Sequence, residues 1–428
     1  MTDGLFYRRS NIKEGSGNNV HMNKANVNSF LLMGYFLDFR NPAISFDFSG
    51  IDKSFYADVP YEELLPRAAA LYREAVSSQF RSGTLNFLPL SGGLDSRAIL
   101  ALLLEHTEAA NIHTYTFGTP GTMDYDIGCR LAKRIGTDHT AMDLSNYQYT
   151  MDELLATSAR MQRQIMLFTH PPLFDWDERY EGGVLWSGYV GGRTSGSYLS
   201  AHPSRDLEEA KRRYIQHNLL AKTLPVSEEM MQGIIALIDW DGGNEEITID
   251  ERLDLINRQV KYTYINNVMD GFDCRLPFAY PPLFTFLFSL PDKYRADQRL
   301  YIDVFLRYFK DVFNFSSKTT IGLPVNTPPA LTRLKTRFIN IRKHIPGLHL
   351  LIKDPFCNYF NFEKRIRRDP QFQRLIRTSL DDLKRRQLID WIDIDRLWTQ
   401  HMNRGVDHSQ ALLTLASLEI HLKAGKKL

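Results

Sequence analysis

The stretch that decides the fold is Leu90-Ser91-Gly92-Gly93-Leu94-Asp95-Ser96. It follows a short apolar run, Leu85 to Leu90, and leads into a strongly apolar helical segment, Arg97 to Glu105. A strand therefore stops where a helix starts, and two adjacent glycines let the backbone come close to an anion at that point. Ser91 and Ser96 add hydroxyl donors, and the free N–H groups of the helix start face the same place. Asp95 is the odd member of the set. A carboxylate beside a phosphate needs a cation between them, and Mg²⁺ is the natural one. No lysine follows the glycines, so the stretch is not the Walker loop and γ-phosphate transfer is not expected.

Outward from the loop, strand and helix alternate. Pro60 to Gln79 reads as a helix, His113 to Phe117 as a second strand and Asp126 to Ile135 as a second helix closed by Gly136. Thr140 to Leu144 and Val184 to Trp186 read as further strands. This spacing predicts an α/β fold, a parallel sheet with helices on both faces. Ser29 to Phe48, short and aromatic with Asn41-Pro42 as a turn, reads as one or two strands. Beyond Ser204 the strand signals fade and a mainly helical C-terminal region follows. The expected division is 1–59 as a flexible tail with short strands, 60–204 as the α/β core, and 205–428 as helices packed on it.

Bulk composition narrows the partners. The chain has 428 residues, 43% hydrophobic and 24% charged, with a net charge of +2, so nothing drives it toward nucleic acid. Short basic clusters, Lys211-Arg212-Arg213 and Lys384-Arg385-Arg386 among them, read as solvated helix faces. The cysteines, Cys129, Cys274 and Cys357, are sparse and lack a CxxC pair, which argues against a disulfide framework or a zinc site. They read as buried thiols and suit a reducing compartment. Met1 to Lys24 lacks the apolar core of a signal peptide, and no run of eighteen apolar residues occurs. A cytoplasmic protein without a membrane partner is expected.

The loop is that of the ATP pyrophosphatases, which cleave ATP between the α and β phosphates. Several ordered elements resemble the C-terminal synthetase domain of asparagine synthetases and the related β-lactam synthetases. Thr116-Phe117-Gly118 ends the second strand, and Asp124 precedes Ala132-Lys133-Arg134-Ile135-Gly136-Thr137-Asp138-His139. A second Gly-rich loop is Ser187-Gly188-Tyr189-Val190-Gly191-Gly192. Gly271-Phe272-Asp273-Cys274-Arg275-Leu276-Pro277-Phe278 and Lys318-Thr319-Thr320-Ile321-Gly322-Leu323-Pro324 complete the series. The resemblance implies the adenine nucleotide α-hydrolase-like fold, whose parallel sheet is five-stranded. It also implies ATP and Mg²⁺ at Leu90, Ser91, Gly92, Gly93, Asp95 and Ser96, with Asp95 as the metal ligand. Phe117 and Gly118 would hold adenine through backbone groups, Ser187 and Gly188 would complete the nucleotide site, and Lys318 would neutralise the leaving pyrophosphate. The implied reaction joins a small carboxylate, aspartate or a relative, to an amine through an acyl-adenylate.

The chain also departs from that family. The second loop has Tyr189 and Gly192 where asparagine synthetases carry Glu and a metal-binding Asp. Arg193 could then serve phosphate in place of metal. Tyr189 matches the β-lactam synthetases, where with a carboxylate it helps deprotonate an amine; here it reads as such a base, with Glu245 or Glu246 as partner, or as an aromatic lid. Asp273 and Arg275 read equally as a brace or as substrate contacts. Thr2 stands where glutamine-dependent members have a nucleophilic Cys, so ammonia is expected free, from a separate glutaminase subunit, or replaced by another amine. A degenerate nucleotide-binding homologue and a tRNA-modifying enzyme are the competing readings.

Overall fold

The computed structural model describes residues 23–169, 182–243, 245–268, 272–343 and 360–425. Residues 1–22 of the expected tail, with Thr2, and also Gly271 and Cys357, lie outside the described residues.

Five short strands make one all-parallel sheet in the order β3-β2-β1-β4-β5. They are β1 (Asn86–Pro89), β2 (Ile112–Gly118), β3 (Asp138–Asp143), β4 (Val184–Trp186) and β5 (Asp273–Arg275). The helix α3 (Asp95–Leu103) joins β1 to β2, and α4 (Met123–Ile135) joins β2 to β3. The chain then returns to the opposite side of β1 as β4, pairing Asn86 with Val184 and Phe87 with Leu185. This reversal opens a crevice between the carboxyl ends of β1 and β4, the place where open α/β sheets bind ligands. Central strands covered on both faces are largely apolar runs. Accordingly Leu88, Ile112, Leu185 and Trp186 are all buried.

Two expectations are corrected. Lys24–Met33 is a helix, α1, and it takes in Ser29 to Met33, where a strand is expected. The Asn23 side chain caps it by accepting from the Asn26 N–H at 2.7 Å, and Gly34 ends it in a left-handed conformation at φ 81°. Phe30, Leu31 and Leu32 are fully buried, and a short helix covered all round shows the same unbroken apolar run as a buried strand. Only Tyr35 keeps a strand-like bridge, to Ile165. The fifth strand, Asp273–Arg275, comes from beyond residue 204, so the sheet is completed by chain from the helical region. Three residues carry too little periodicity to signal a strand by themselves.

Arg275 and Asp273 form an ion pair at this edge, with a bond of 2.8 Å from Arg275 Nη2 to Asp273 Oδ2. Arg275 also donates to the Gln79 carbonyl just beyond α2 (Tyr61–Ser77), and the Gln79 side chain accepts from the Leu276 N–H at 3.2 Å. These contacts brace β5 against the end of α2. The later helices pack around a central one, Ser409–Ala424, in which Glu419 is fully buried and held by Arg386.

One buried side chain ties the sheet to the region that follows it. Arg97, in the first turn of α3, has no exposed surface. Its guanidinium donates to the carbonyls of Phe313 and Phe315 at 3.0 Å and of Ser316 at 2.6 Å. These carbonyls lead into a hairpin, Ser316–Ser317 paired with Leu323–Pro324, whose turn carries Lys318. Burial lowers the Arg97 pKa to about 10, still far above neutrality. Arg97→Leu would take the guanidinium from three carbonyls, of which that of Phe313 keeps the Phe315 N–H at 2.9 Å, at roughly 1–3 kcal/mol for each one left unpaired and buried. We expect urea denaturation of this variant to show a loss of about 3 kcal/mol or more. Arg97→Lys should recover only part of it, since one ammonium cannot reproduce the planar fork.

Candidate functional site

The phosphate loop leaves β1 at Leu90, which is locked in place on both sides. The Leu90 N–H donates to the Tyr115 carbonyl at 2.8 Å, and the Leu90 carbonyl accepts from the Thr116 hydroxyl at 2.7 Å. Leu94, the residue before α3, makes no side-chain cap, so the first-turn N–H groups of the helix remain available. Within the loop the Gly93 N–H donates to the Ser91 hydroxyl at 3.1 Å, and the Ser96 hydroxyl lies 3.4 Å from the Ser91 N–H.

The Gly92 N–H donates to Asp124 Oδ1 at 3.1 Å, while Lys318 Nζ meets Asp124 Oδ2 at 2.9 Å. Asp124 sits in the first turn of α4, where the helix dipole favours a negative charge. A backbone N–H of the glycine loop and a lysine ammonium thus converge on one carboxylate. Both donors are of the kind that bind a phosphoryl oxygen. Lys318 is fixed further by its own N–H, which donates to the Gly92 carbonyl at 3.0 Å, and its side chain remains 42% exposed. The structure therefore brings Lys318 to the loop across more than two hundred residues of sequence. Phe117 and Gly118 end β2 beside β1, on the same edge of the sheet, with the Gly118 carbonyl accepting from the Leu144 N–H at 2.9 Å.

The second Gly-rich loop leaves β4 on the other side of the crevice and closes around Asp95. A Cβ on Gly191 would lie 2.6 Å from Asp95 Cγ, and one on Gly188 would lie 2.9 Å from Asp95 Cβ. Only a backbone without side chains fits there. The Ser187 hydroxyl accepts from the Tyr189 N–H at 3.2 Å and shapes the turn. Asp95 accepts from the Tyr301 hydroxyl at 3.3 Å. Desolvation raises its pKa to about 6, against the lowering effects of Tyr301, the Gly192 N–H and Lys318.

These residues fit a divalent cation in a limited way. Among the described residues, no three His, Cys, Asp or Glu side chains converge as a metal site. Mg²⁺ in nucleotide sites, however, often takes only one or two carboxylates and draws its other ligands from phosphate and water. Asp95, a desolvated carboxyl that would gain from a neighbouring positive charge, can supply one. Position 192 supplies none, although a Cβ there would stand 3.9 Å from Asp95 Oδ2.

Three expectations at this loop are not met. Tyr189 is only 1% exposed, and its hydroxyl donates to the Gln259 carbonyl at 2.9 Å. Burial, with Tyr264 and Asp254 nearby, pushes its pKa well above 10, whereas a base needs it lowered. Tyr189 is therefore a packing residue, stacked with Phe46 and edge-on to Tyr264, and not the expected base. Glu246 is engaged elsewhere, accepting from the Lys53 N–H at 2.9 Å, and Glu245 is exposed. Arg193 is not a spare cation for phosphate: its Nε pairs with the buried Asp254 at 2.8 Å and its guanidinium lies 3.6 Å over the Tyr198 ring. Asp254 opens a π-helical run, Asp254–Thr263, whose looser turn also offers the Gln259 carbonyl to Tyr189.

Asp124, Tyr301 and Asp254 were not singled out from the sequence as site residues. Asp124 had a usable signal, an acid in the first turn of a helix directly after Thr-Phe-Gly. Tyr301 and Asp254 had none, because only the tertiary fold brings them to the loops. A groove of about 710 Å³ lined by Tyr56, Arg67, Pro281 and Phe286 contains no residue of either loop.

Two outcomes follow from these environments. Because its folded pKa is raised, Asp95 binds its proton more tightly in the native state, and its contribution to stability falls as pH rises from about 4 through 6. Asp95→Asn should thus be more stable than wild type at pH 7, by on the order of 1–2 kcal/mol, with the difference vanishing below pH 4 in thermal melts across pH. Tyr189→Phe should cost about 1 kcal/mol of stability and leave turnover within a few-fold, whereas loss of a general base would cost about a hundredfold or more.

Residues 67–172, from the middle of α2 through β3 and past α5 (Met151–Arg160), match the family model described as asparagine synthase. No curated protein sequence matches the chain. The matched segment, about a quarter of the chain, contains the phosphate loop, Asp95 and Asp124, and it is there that the chain is similar to the asparagine synthase family.

Proposed function

We propose that the protein is an AMP-forming ligase that activates a carboxylate with ATP and transfers the acyl group to an amine. The observation that carries this reading is Asp124, whose carboxylate is gripped by the Gly92 N–H and the Lys318 ammonium. Donors that hold a carboxylate between a glycine loop and a lysine are suited to a phosphoryl group.

In this reading the triphosphate lies along Ser91 to Ser96, with the loop N–H groups and the two serine hydroxyls as donors. Adenine lies at Phe117 and Gly118, at the neighbouring strand end. A substrate carboxylate oxygen attacks the α-phosphorus, and the bond from that phosphorus to the bridging oxygen breaks, so that pyrophosphate leaves with the electron pair. Lys318 exchanges Asp124 for the departing oxygens and stabilises the charge that builds on them. Mg²⁺ held by Asp95 and the phosphates would supply further neutralisation. The amine nitrogen then attacks the acyl carbon, AMP leaves, and the nitrogen loses a proton. With Tyr189 buried, the proton goes to the substrate, to solvent or to a group other than Tyr189.

The tRNA-modifying alternative has little support on this surface. Arg212 is paired with Glu208 and Glu228, Arg213 with Glu209, Lys384 with Asp395, and Arg386 with Glu419. These clusters are neutralised helix faces. The degenerate-homologue alternative rests on one observation, the glycine at 192, and the same assay separates it from the ligase.

ATP–pyrophosphate exchange with purified protein, Mg²⁺ and a panel of carboxylates including aspartate tests the proposal. Exchange that depends on one carboxylate is expected. Lys318→Met should reduce that exchange by about a hundred- to a thousandfold while calorimetric ATP affinity changes far less. ATP binding without exchange for any carboxylate would favour the degenerate homologue.

A further inference from the structure

The carboxyl of Asp95 is held from behind by a helix that belongs to neither glycine loop. Tyr301, in the helix Arg299–Tyr308, is 1% exposed, and its hydroxyl donates to Asp95 Oδ1 at 3.3 Å. Its ring meets those of Phe278, Phe305 and Phe313 edge-on, with centroids 6.1, 5.0 and 5.8 Å away. A phenol lodged among three other rings cannot swing, so the core aims its hydroxyl. Phe313 is also one of the residues whose carbonyl accepts from Arg97, two positions after Asp95. The phenol and the carboxyl are therefore anchored to one piece of scaffold.

The other oxygen has different surroundings. Asp95, unlike Tyr301, keeps part of its surface open. A Cβ on Gly192 would stand 3.9 Å from Oδ2, and the Gly192 N–H donates to the carboxyl. A carboxyl turns readily about its last bond unless one oxygen is tied to a fixed donor.

A second phenol supplies the contrast. Tyr72 is also 1% exposed and packs on Tyr301 with ring centroids 5.8 Å apart. Burial, with Asp95 nearby, raises its pKa, yet its hydroxyl has no hydrogen-bond partner among the described residues. Two buried phenols thus stand behind one carboxyl, and Tyr301 alone of the pair donates to it.

We propose that Tyr301 is a positioning residue, which holds Asp95 Oδ1 so that Oδ2 is presented to the cation accompanying the nucleotide. The inference rests on the proposed ligase reading and adds to it a residue outside both loops and outside the matched segment 67–172. Hydrogen bonds to a carboxylate that binds metal fix its orientation, and their loss typically lowers metal affinity by about ten- to a hundredfold. With no carboxylate at 192, the orientation of Asp95 counts for more.

The test uses Mn²⁺ and α,β-methylene-ATP, an analogue that cannot be cleaved between its α and β phosphates, so binding is read apart from turnover. Calorimetry on the full chain gives the affinity for the analogue with Mn²⁺ and in EDTA, and electron paramagnetic resonance follows the bound metal. Wild type should bind more tightly with Mn²⁺. Tyr301→Phe deletes one oxygen and keeps the ring, so it should fold, as its melting temperature will check. It should lose about tenfold or more of the affinity with Mn²⁺, with a changed metal spectrum, and much less in EDTA. Tyr72→Phe should match wild type in both. A wild type that gains nothing from Mn²⁺ overturns the metal-bearing reading of the site together with this inference. A wild-type gain that Tyr301→Phe keeps in full overturns the inference alone. So does an equal loss with Mn²⁺ and in EDTA, or a matching loss in Tyr72→Phe, since either is what a merely structural phenol would give.

Discussion

Arg97 is the hinge point of the molecule. Its side chain starts in the first turn of the helix that follows the phosphate loop and ends on three carbonyls leading into the Lys318 hairpin. A buried guanidinium cannot trade these partners for water, so the helix start and the hairpin move together or not at all. Lys318 in turn donates its backbone N–H to the Gly92 carbonyl, and the Ser317 hydroxyl shares that acceptor at 3.2 Å. Loop, helix and hairpin form one closed circuit of hydrogen bonds. The lysine is held where it is by that circuit, since its own side chain is long, flexible and half exposed.

Much of this architecture is legible in the sequence because it is local. The Ser-Gly-Gly-Leu-Asp-Ser run between an apolar strand and an apolar helix specifies its own backbone, and the placement of Lys318 followed from the resemblance of its Gly-Leu-Pro context. What stayed hidden was tertiary. Tyr301, 206 residues beyond Asp95, reaches it only through the fold. Arg193 looked available because Asp254, its partner, sits in an irregular helix with no sequence signature. Ser29 to Met33, the end of the helix Lys24–Met33, read as strand because a helix buried on all sides lacks the polar face that would reveal its period. Asp273–Arg275 was too short to register as a strand until its neighbour Val184–Trp186 supplied a register.

The two glycine loops divide the work across the crevice. The first presents N–H and hydroxyl donors; the second approaches Asp95 with bare backbone at Gly188 and Gly191, while the Tyr301 hydroxyl donates to its carboxyl. With glycine at 192, that position offers no carboxylate beside Asp95. If the site takes phosphates as proposed, charge neutralisation there would fall more heavily on Lys318 and on the loop dipoles. Tyr189, by contrast, belongs to the scaffold behind the loop, where its hydroxyl ties the turn to the π-helical segment.

If the site takes nucleotide as proposed, the grip of Gly92 and Lys318 on Asp124 is an internal surrogate for its anion. The loop would then be folded around a negative charge before any nucleotide arrives, and binding would be an exchange of one anion for another that requires little ordering of backbone. Its calorimetric signature should be a small heat-capacity change and a modest entropy penalty. Affinity is correspondingly tempered, because each incoming phosphate must first evict a carboxylate that the protein supplies to itself.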